Sequence, residues 1–227
     1  MTKGSTMKLL LNGLIKLMFG MVLIGLLLFL PAWTWNYFGA WLFCGVLFVP
    51  VLIMGAVMYA KAPELLEKRL SNREKEKAQR GVVAFSGLMF IGGFVVSALD
   101  FRYGWSMVPM WLTLTSAALF LVGYGMFAEV ARENSYLSRT VEVQEGQKVV
   151  SSGLYGVVRH PMYLATLFMF LPMPLILQSF WGLIPFAIYP VIIVIRIINE
   201  EKVLTEGLEG YAEYKKKVKY RLIPFVW

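Results

Sequence analysis

The residues in this sequence that could do chemistry are concentrated in two short polar stretches, each beside an apolar run. The first, Arg159-His160-Pro161, contains the only histidine of the chain. Pro161 fits the first position of a helix, where its missing N–H costs nothing. Arg159 and His160 would then lie at the helix N-terminus, beside amide groups without intrahelical partners and at the positive end of the helix dipole. This stretch is therefore suited to bind an anionic or electron-rich ligand.

The second polar stretch, Arg196-Ile-Ile-Asn-Glu-Glu201, ends the last long apolar run. Arg196 and Glu200 are four residues apart and share one face of a helix, and Glu201 is within reach of Arg196 across the turn. Charges at the depth where a helix leaves the hydrocarbon are costly unless they are paired or face a cavity. Two interpretations follow: the cluster either stabilises the helix exit as ion pairs or forms part of a site.

Composition indicates the kind of scaffold that must position these residues. Of the 227 residues, 58% are hydrophobic and 16% are charged, and the mean hydropathy is +0.64, whereas about a quarter of the residues of a soluble domain are charged. We therefore predict an all-α, multi-span integral membrane bundle. The net charge of +8 does not indicate nucleic-acid binding, because the basic residues are not gathered on one soluble face. One histidine and one cysteine cannot build the usual transition-metal site, so no metal is expected.

The apolar runs predict the order of the spans. Four runs are long enough to cross about 30 Å of hydrocarbon, at about 13–30, 37–60, 81–99 and 107–130. Two further apolar runs follow at about 161–178 and 180–198, and the sequence leaves open whether they cross the membrane fully. The last two are joined by the short uncharged link 178–182, which indicates a tight helical hairpin, and the prolines within them indicate kinks. We therefore divide the chain into N-terminal spans, residues 1–130, and a second region, residues 131–227, with a cytoplasmic loop, the hairpin and an interfacial helix.

The distribution of basic residues predicts the orientation of these spans. Of the 22 Lys and Arg residues, 21 fall on one side of the predicted topology, and the exception is Arg102. The positive-inside rule then places both termini and the loop before His160 in the cytoplasm. Asp100, close to Arg102 on the outer side, is interpreted as part of a structural clamp rather than a site.

Three segments outside the spans have distinct patterns. The charged loop 61–80 is predicted to contain a short solvated helix. The loop 131–159 is longer than a connector requires and contains a β-prone segment, Thr140-Val-Glu-Val143, and a turn at Ser151-Ser-Gly153 whose glycine can adopt positive φ. Loops of this length usually bind a ligand, so we expect this one to form a soluble cap over a binding site. The tail 204–227 is predicted to be an amphipathic helix on the membrane surface.

Taken together, the two polar stretches resemble a known family. The shared elements are a turn, a hairpin and a tail. Their order is Gly153-x-Tyr155-x-x-x-Arg159-His160-Pro161-x-Tyr163, then Arg196-x-x-x-Glu200-Glu201-x-x-Leu204, then Tyr211-x-x-Tyr214 and Arg221-x-x-Pro224. This combination resembles the isoprenylcysteine carboxyl methyltransferases, a family of integral membrane enzymes. The resemblance extends from about Glu133 to Trp227, and within it Tyr211 and Tyr214 are interpreted as packing residues.

The resemblance implies a methyltransferase that binds S-adenosylmethionine without a Rossmann fold, and the sequence agrees in having no strand-bound Gly-x-Gly-x-x-Gly. It implies that one wall of the cofactor pocket consists of Lys148, Val149, Val150 and Tyr155. It further implies that the adenosyl and amino-acid parts are held by His160, Pro161, Met162 and Tyr163. Glu201, or its neighbour Glu200, would accept hydrogen bonds from the ribose or the amine.

The methyl acceptor implied by the resemblance is a lipophilic or prenylated molecule that enters from the membrane, with a carboxylate of isoprenylcysteine type as the first expectation. A carboxylate needs no general base but needs a cation to position it, and Arg159 or Arg196 could bind it as a bidentate fork. An amine or thiol acceptor, as in related phospholipid and small-thiol methyltransferases, would need a base, and Glu200 or His160 would be the candidate. A sterol-reductase-like enzyme using a nicotinamide cofactor and a non-catalytic lipid-binding protein are the remaining alternatives.

Overall fold

The computed structural model describes residues 3–70, 77–137 and 143–227. In this part of the chain the regular structure is helical, which confirms the predicted all-α class. The α-helices are, in order, α1 Lys3–Ala32, α2 Phe38–Lys61, α3 Pro63–Leu70, α4 Lys77–Tyr103, α5 Met110–Glu133, α6 Pro161–Phe170, α7 Met173–Ile176, α8 Leu183–Phe186, α9 Tyr189–Gly207 and α10 Tyr211–Lys217. A 3-10 turn, Gly153–Gly156, precedes α6.

Among the described residues, five helical segments are long and apolar enough to cross a membrane. They are Met7–Ala32, Phe38–Lys61, Ala84–Tyr103, Met110–Glu133 and Leu183–Gly207. Large apolar side chains such as Phe19 and Leu88 are more than 60% exposed, as expected of a surface that faces lipid rather than water. The predicted multi-span membrane bundle is therefore confirmed.

The hairpin differs in detail from the prediction. Its first limb, predicted at 161–178, is helical only over Pro161–Ile176 and is broken between α6 and α7 at Leu171 and Pro172. Sixteen residues of helix rise about 24 Å, so this limb is shorter than a full span of about 30 Å. The second limb continues past the predicted residue 198 to Gly207, so that Arg196, Glu200 and Glu201 lie on a continuous helix.

The helices of the core pack closely because small residues lie at their contacts. A methyl group on Gly123 of α5 would lie 2.7 Å from Met169 Cγ and 2.9 Å from the Ala165 carbonyl oxygen, both on α6. On α4, a methyl group on Gly93 would lie 2.2 Å from the Phe186 ring. Small residues let helix backbones approach each other in membranes. The hairpin is thereby held against α4 and α5, and α6 and α9 carry the two polar stretches.

Asp100 lies at the opposite end of the bundle from those stretches and is fully buried. Its carboxylate accepts hydrogen bonds from the Ser106 backbone N–H (2.8 Å) and the Ser179 hydroxyl (2.5 Å). It therefore joins the end of α4 to the tip of the hairpin, which agrees with the predicted structural clamp. Arg102 has different partners, because its guanidinium lies over the rings of Trp33 and Tyr103.

The prediction of one amphipathic helix over 204–227 is wrong. The chain turns at Gly210, whose φ of +81° favours glycine, forms the short helix α10 and then leaves helical structure at Val218. The segment 218–221 runs beside the start of α6, where the Arg159 and His160 N–H groups each donate a 2.9 Å hydrogen bond to the Tyr220 and Arg221 carbonyls. These backbone bonds favour an extended tail over a surface helix.

The loops were predicted with mixed success. The predicted short helix in 61–80 is confirmed as α3, and the remainder of that loop through residue 76 lies outside the described residues. The β-prone segment Thr140-Val-Glu-Val143 also lies outside them, apart from Val143. Gly153 has the predicted positive φ, at +53°.

Candidate active site

The two polar stretches and the 131–159 loop meet at one cavity. It contains about 860 Å³ of empty space, part of it open to solvent, between the loop, the start of α6, the end of α9 and α10. Eleven of the twelve predicted site residues line it: Lys148, Val149, Val150, Tyr155, Arg159, His160, Pro161, Met162, Tyr163, Arg196 and Glu200. Glu201, the twelfth, is not among the lining residues.

The start of α6 has the predicted backbone geometry but a different side-chain arrangement. Pro161 is the first helical residue and His160 is the N-cap, yet the His160 side chain makes no capping hydrogen bond. Its imidazole Nε2 lies 3.2 Å from Glu201 Oε1 instead. The side chain of Arg159 also reaches Glu201. The two side chains therefore contact a carboxylate of the protein rather than the free amide groups of the helix.

Glu201 is the centre of a buried ion cluster behind the cavity wall. It is 4% exposed. Its Oε1 accepts a 2.6 Å hydrogen bond from Arg159 Nε, and its Oε2 accepts a 3.0 Å hydrogen bond from Arg221 Nε. A buried carboxylate is stable only when its lone pairs are satisfied, and both oxygens of Glu201 are engaged. Glu201 thus joins α9, the start of α6 and the tail.

Arg159 is part of the same framework. Besides Glu201, its guanidinium donates from Nη1 to the carbonyl oxygens of Val218 (2.8 Å) and Lys219 (2.9 Å). The residue is 8% exposed. These bonds hold the tail against α6, and they occupy two of the nitrogens that a bidentate contact with a carboxylate ligand would use.

A second polar cluster faces the cavity directly. The Tyr163 hydroxyl donates a 2.5 Å hydrogen bond to Glu200 Oε2 and accepts one of 3.2 Å from Arg196 Nε. Tyr163 therefore lies between the arginine and the glutamate that were predicted to share one helical face. Arg196 and Glu200 are both partly buried, and they bring one positive and one negative charge to the cavity wall.

The loop side of the cavity is fixed by a chain of hydrogen bonds. Asn134 at the end of α5 donates to the Tyr155 hydroxyl (2.8 Å), and the Tyr214 hydroxyl donates to the Tyr155 carbonyl (2.7 Å). At Gly153, a methyl group would lie 2.9 Å from Glu133 Cδ, so both the positive φ and the close contact require glycine. The 3-10 turn is thereby held between α5 and α10.

Several lining residues were not predicted from the sequence. They are Asn134, Tyr136, Leu137, Gln147, Leu204, Leu208, Tyr211 and Tyr214. Tyr211 and Tyr214 pack in one apolar cluster with Leu208 and Val218, which agrees with the packing role assigned to them, but they also face the cavity. The spacing Tyr-x-x-Tyr, which places both rings on one side of a helix, was the signal available in the sequence.

A wider groove adjoins this cavity. It contains about 1460 Å³ of empty space between the ends of α2 and α5 and the start of α3. Met54, Val57 and Ala128 give it apolar walls, and the exposed side chains of Lys61, Glu64 and Arg132 lie along it. Tyr136 lines both the groove and the cavity.

Comparison with known families agrees with this geometry. Residues 111–210 match the phospholipid methyltransferase family. The matched segment begins in α5, includes the loop and the hairpin, and ends just before α10, so it contains the eleven predicted residues that line the cavity. No curated protein matches the chain. The match indicates a membrane methyltransferase, and it does not specify the isoprenylcysteine type.

Proposed function

We propose that this protein is an S-adenosylmethionine-dependent methyltransferase that methylates the amine headgroup of a membrane phospholipid. The observation that carries the proposal is the single cavity that gathers eleven predicted site residues inside the segment matching phospholipid methyltransferases. The excess of basic residues on one side of the predicted topology supports a cytoplasmic position for this cavity.

The residues present fit the proposed cofactor. Val149, Val150 and Met162 offer an apolar surface for the adenine, and the wall also holds a buried hydroxyl without a partner, that of Tyr211. Glu200 is the carboxylate available to the ribose or the amine, because Glu201 is occupied by Arg159 and Arg221.

S-adenosylmethionine, when bound, supplies an electrophilic methyl group on a sulfonium. The chain's own residues then have to align the acceptor and keep water away. An ammonium headgroup must lose a proton before it can be methylated, and Glu200, already hydrogen-bonded to Tyr163, is placed to accept that proton. Arg196, on the other side of Tyr163, would hold the phosphate of the same headgroup.

The adjoining groove supports a lipid as the acceptor. Its apolar walls lie where α2 and α5 end, and its charged residues include both signs, Lys61 and Arg132 with Glu64. Such a surface complements acyl chains on one side and a zwitterionic headgroup on the other. Because Tyr136 belongs to both spaces, a lipid in the groove would have its headgroup next to the cofactor cavity.

The carboxylate of an isoprenylcysteine is a second candidate acceptor, and Arg196 in the cavity wall favours it. A carboxylate already carries its nucleophilic electron pair, so this reaction would need the arginine and not the base. The two acceptors therefore make opposite demands on Glu200. With S-adenosylmethionine saturating, substitution of Glu200 by Gln would stop proton removal from an amine but leave a carboxylate reactive.

The experiment that tests the proposal has a binding arm and a transfer arm. Titration calorimetry of the detergent-purified protein should detect S-adenosylhomocysteine, with reduced nicotinamide dinucleotide phosphate as the control for a reductase. Methyl-labelled S-adenosylmethionine is then supplied with liposomes of phosphatidylethanolamine, with an S-farnesylcysteine analogue, or with an alkyl thiol. We expect label in the phospholipid. Label in the farnesylcysteine alone would exclude the amine proposal, and absence of S-adenosylhomocysteine binding by the folded protein would exclude the methyltransferase.

A further inference from the structure

One polar atom in the cavity wall has no partner. Among the described residues, the Tyr211 hydroxyl is the only buried side-chain nitrogen or oxygen without a hydrogen bond. Tyr211 as a whole is only 4% exposed. Native proteins satisfy nearly all buried polar groups, and an exception calls for an explanation such as a ligand.

Neighbouring tyrosines show that the fold can satisfy such hydroxyls. The Tyr214 hydroxyl donates to the Tyr155 carbonyl (2.7 Å), and the Tyr163 hydroxyl donates to Glu200 (2.5 Å). Tyr214 and Tyr211 lie on the same short helix, with ring centroids 5.7 Å apart. The difference is that the Tyr211 hydroxyl has no protein acceptor within reach although its ring is equally buried and lines the same cavity.

Charged side chains of both signs lie around this hydroxyl. Burial and the charges of Glu201 and Glu200 raise the pKa of Tyr211, and the nearby Arg159 opposes that rise. The hydroxyl is therefore protonated at neutral pH, and it can both donate and accept a hydrogen bond. A protonated hydroxyl can donate to a ligand carboxylate, and Glu200 in the same cavity wall can bind an ammonium of that ligand.

We propose that the Tyr211 hydroxyl binds the amino-acid end of the cofactor, which carries both an ammonium and a carboxylate. This inference rests on the proposed function and deepens it by orienting the cofactor. The amino-acid end would lie towards Tyr211 and Glu200, and the adenosine would lie towards the apolar wall at Val149 and Val150. Ligand binding then supplies the hydrogen bond that the protein alone does not.

The test compares two ligands that differ only in the part assigned to Tyr211. S-adenosylhomocysteine contains the amino-acid end, and 5′-methylthioadenosine keeps the nucleoside and the thioether but lacks that end. Both are titrated calorimetrically into the wild type and into Tyr211→Phe. Loss of one hydrogen bond should weaken binding of S-adenosylhomocysteine about threefold to tenfold and leave that of 5′-methylthioadenosine unchanged within about twofold.

A thermal unfolding midpoint, measured without ligand, separates binding from structure. Tyr211→Phe removes an unsatisfied polar atom, so its midpoint should equal or exceed that of the wild type. Tyr214→Phe, which loses the bond to Tyr155, should lower the midpoint. Tyr103→Phe, an exposed tyrosine far from the cavity, should change neither the midpoint nor the affinity.

Four results would overturn the inference. Equal losses of affinity for both ligands would show that Tyr211 does not bind the amino-acid end. A lower midpoint for Tyr211→Phe would assign the hydroxyl a structural role. Unchanged affinity for S-adenosylhomocysteine would remove Tyr211 from the site while leaving the proposed function intact, whereas a folded wild type that binds no S-adenosylhomocysteine would refute both.

Discussion

Glu200 and Glu201 are adjacent in sequence, and we predict that substituting each by Gln lowers a different property, affinity at position 200 and stability at position 201. Glu201 accepts hydrogen bonds from Arg159 and Arg221 behind the cavity wall, so Glu201→Gln should lower stability. Glu200 lines the cavity and is partly buried, so Glu200→Gln should lower ligand affinity. The two variants have the same chemistry, which makes each the control for the other.

The expected stability loss follows from the ion cluster. Removing one partner of a buried ion pair costs about 3–5 kcal/mol, because the other charge is left uncompensated. Glutamine keeps the volume and one acceptor oxygen of Glu201, so we expect the lower end, about 3 kcal/mol. In a chain of this size about 1 kcal/mol shifts the unfolding midpoint by about 2–4 °C. Glu201→Gln should therefore unfold roughly 6–12 °C earlier.

The expected affinity loss follows from the cavity. A glutamine at position 200 can still accept the hydrogen bond from Tyr163, so the midpoint of Glu200→Gln should stay within about 2 °C of the wild type. A hydrogen bond to a charged group contributes about 1.5–3 kcal/mol. Its loss should weaken binding of S-adenosylhomocysteine about tenfold or more.

The assay is a thermal scan and a calorimetric titration of both variants in the same detergent, with scan rate held constant because membrane-protein unfolding is commonly irreversible. The titrations are made well below both midpoints, so that loss of fold does not imitate loss of affinity. The reasoning would be refuted if Glu201→Gln kept its midpoint and lost affinity. That result would make Glu201 the ligand-binding carboxylate and Glu200 the structural one.

Three further predictions concern other parts of the bundle. Asp100→Asn replaces an acceptor of the clamp and should lower the free energy of unfolding by about 2 kcal/mol. Its unfolding midpoint should fall while its affinity for S-adenosylhomocysteine stays unchanged, and reduced affinity would contradict a purely structural clamp. Gly123→Val should separate α5 from α6 and reduce the yield of folded protein, whereas Gly125→Ala, which meets open space, should not; equal yields would argue against close packing there. Val57→Trp should obstruct the groove and slow methylation of liposomal lipid, with Val49→Trp on the same helix as the control, and equal rates would remove the groove from the lipid path.

Much of the fold was predictable because it depends on local properties of the chain. Apolar length predicts the spans, Pro161 predicts the start of α6, and Gly153 predicts a backbone with positive φ. The prolines of the hairpin indicated a kink, and the break at Leu171 and Pro172 agrees with it, but the lengths of the helical pieces were less predictable because hydropathy continues through both residues. A missing N–H decides that break, and hydropathy does not register it.

The tail was mispredicted for a different reason. Its lysines and apolar residues fit an amphipathic helix, but the carbonyls of Val218 to Arg221 bond Arg159 and His160, about sixty positions earlier in the chain. A pattern within the tail contains no information about partners so distant. The backbone and guanidinium donors offered by folded α6 decide its conformation.

The sequence by itself determined that this chain is a helical membrane protein and that its polar residues are grouped in two stretches beside apolar runs. Together with the family resemblance, it also predicted eleven of the residues that line the cavity. Only the tertiary structure decided which of two adjacent glutamates faces that cavity, because successive residues of a helix point about 100° apart. Arg159, Arg221 and the tail surround one of them, and this arrangement depends on contacts between segments that the linear sequence keeps apart.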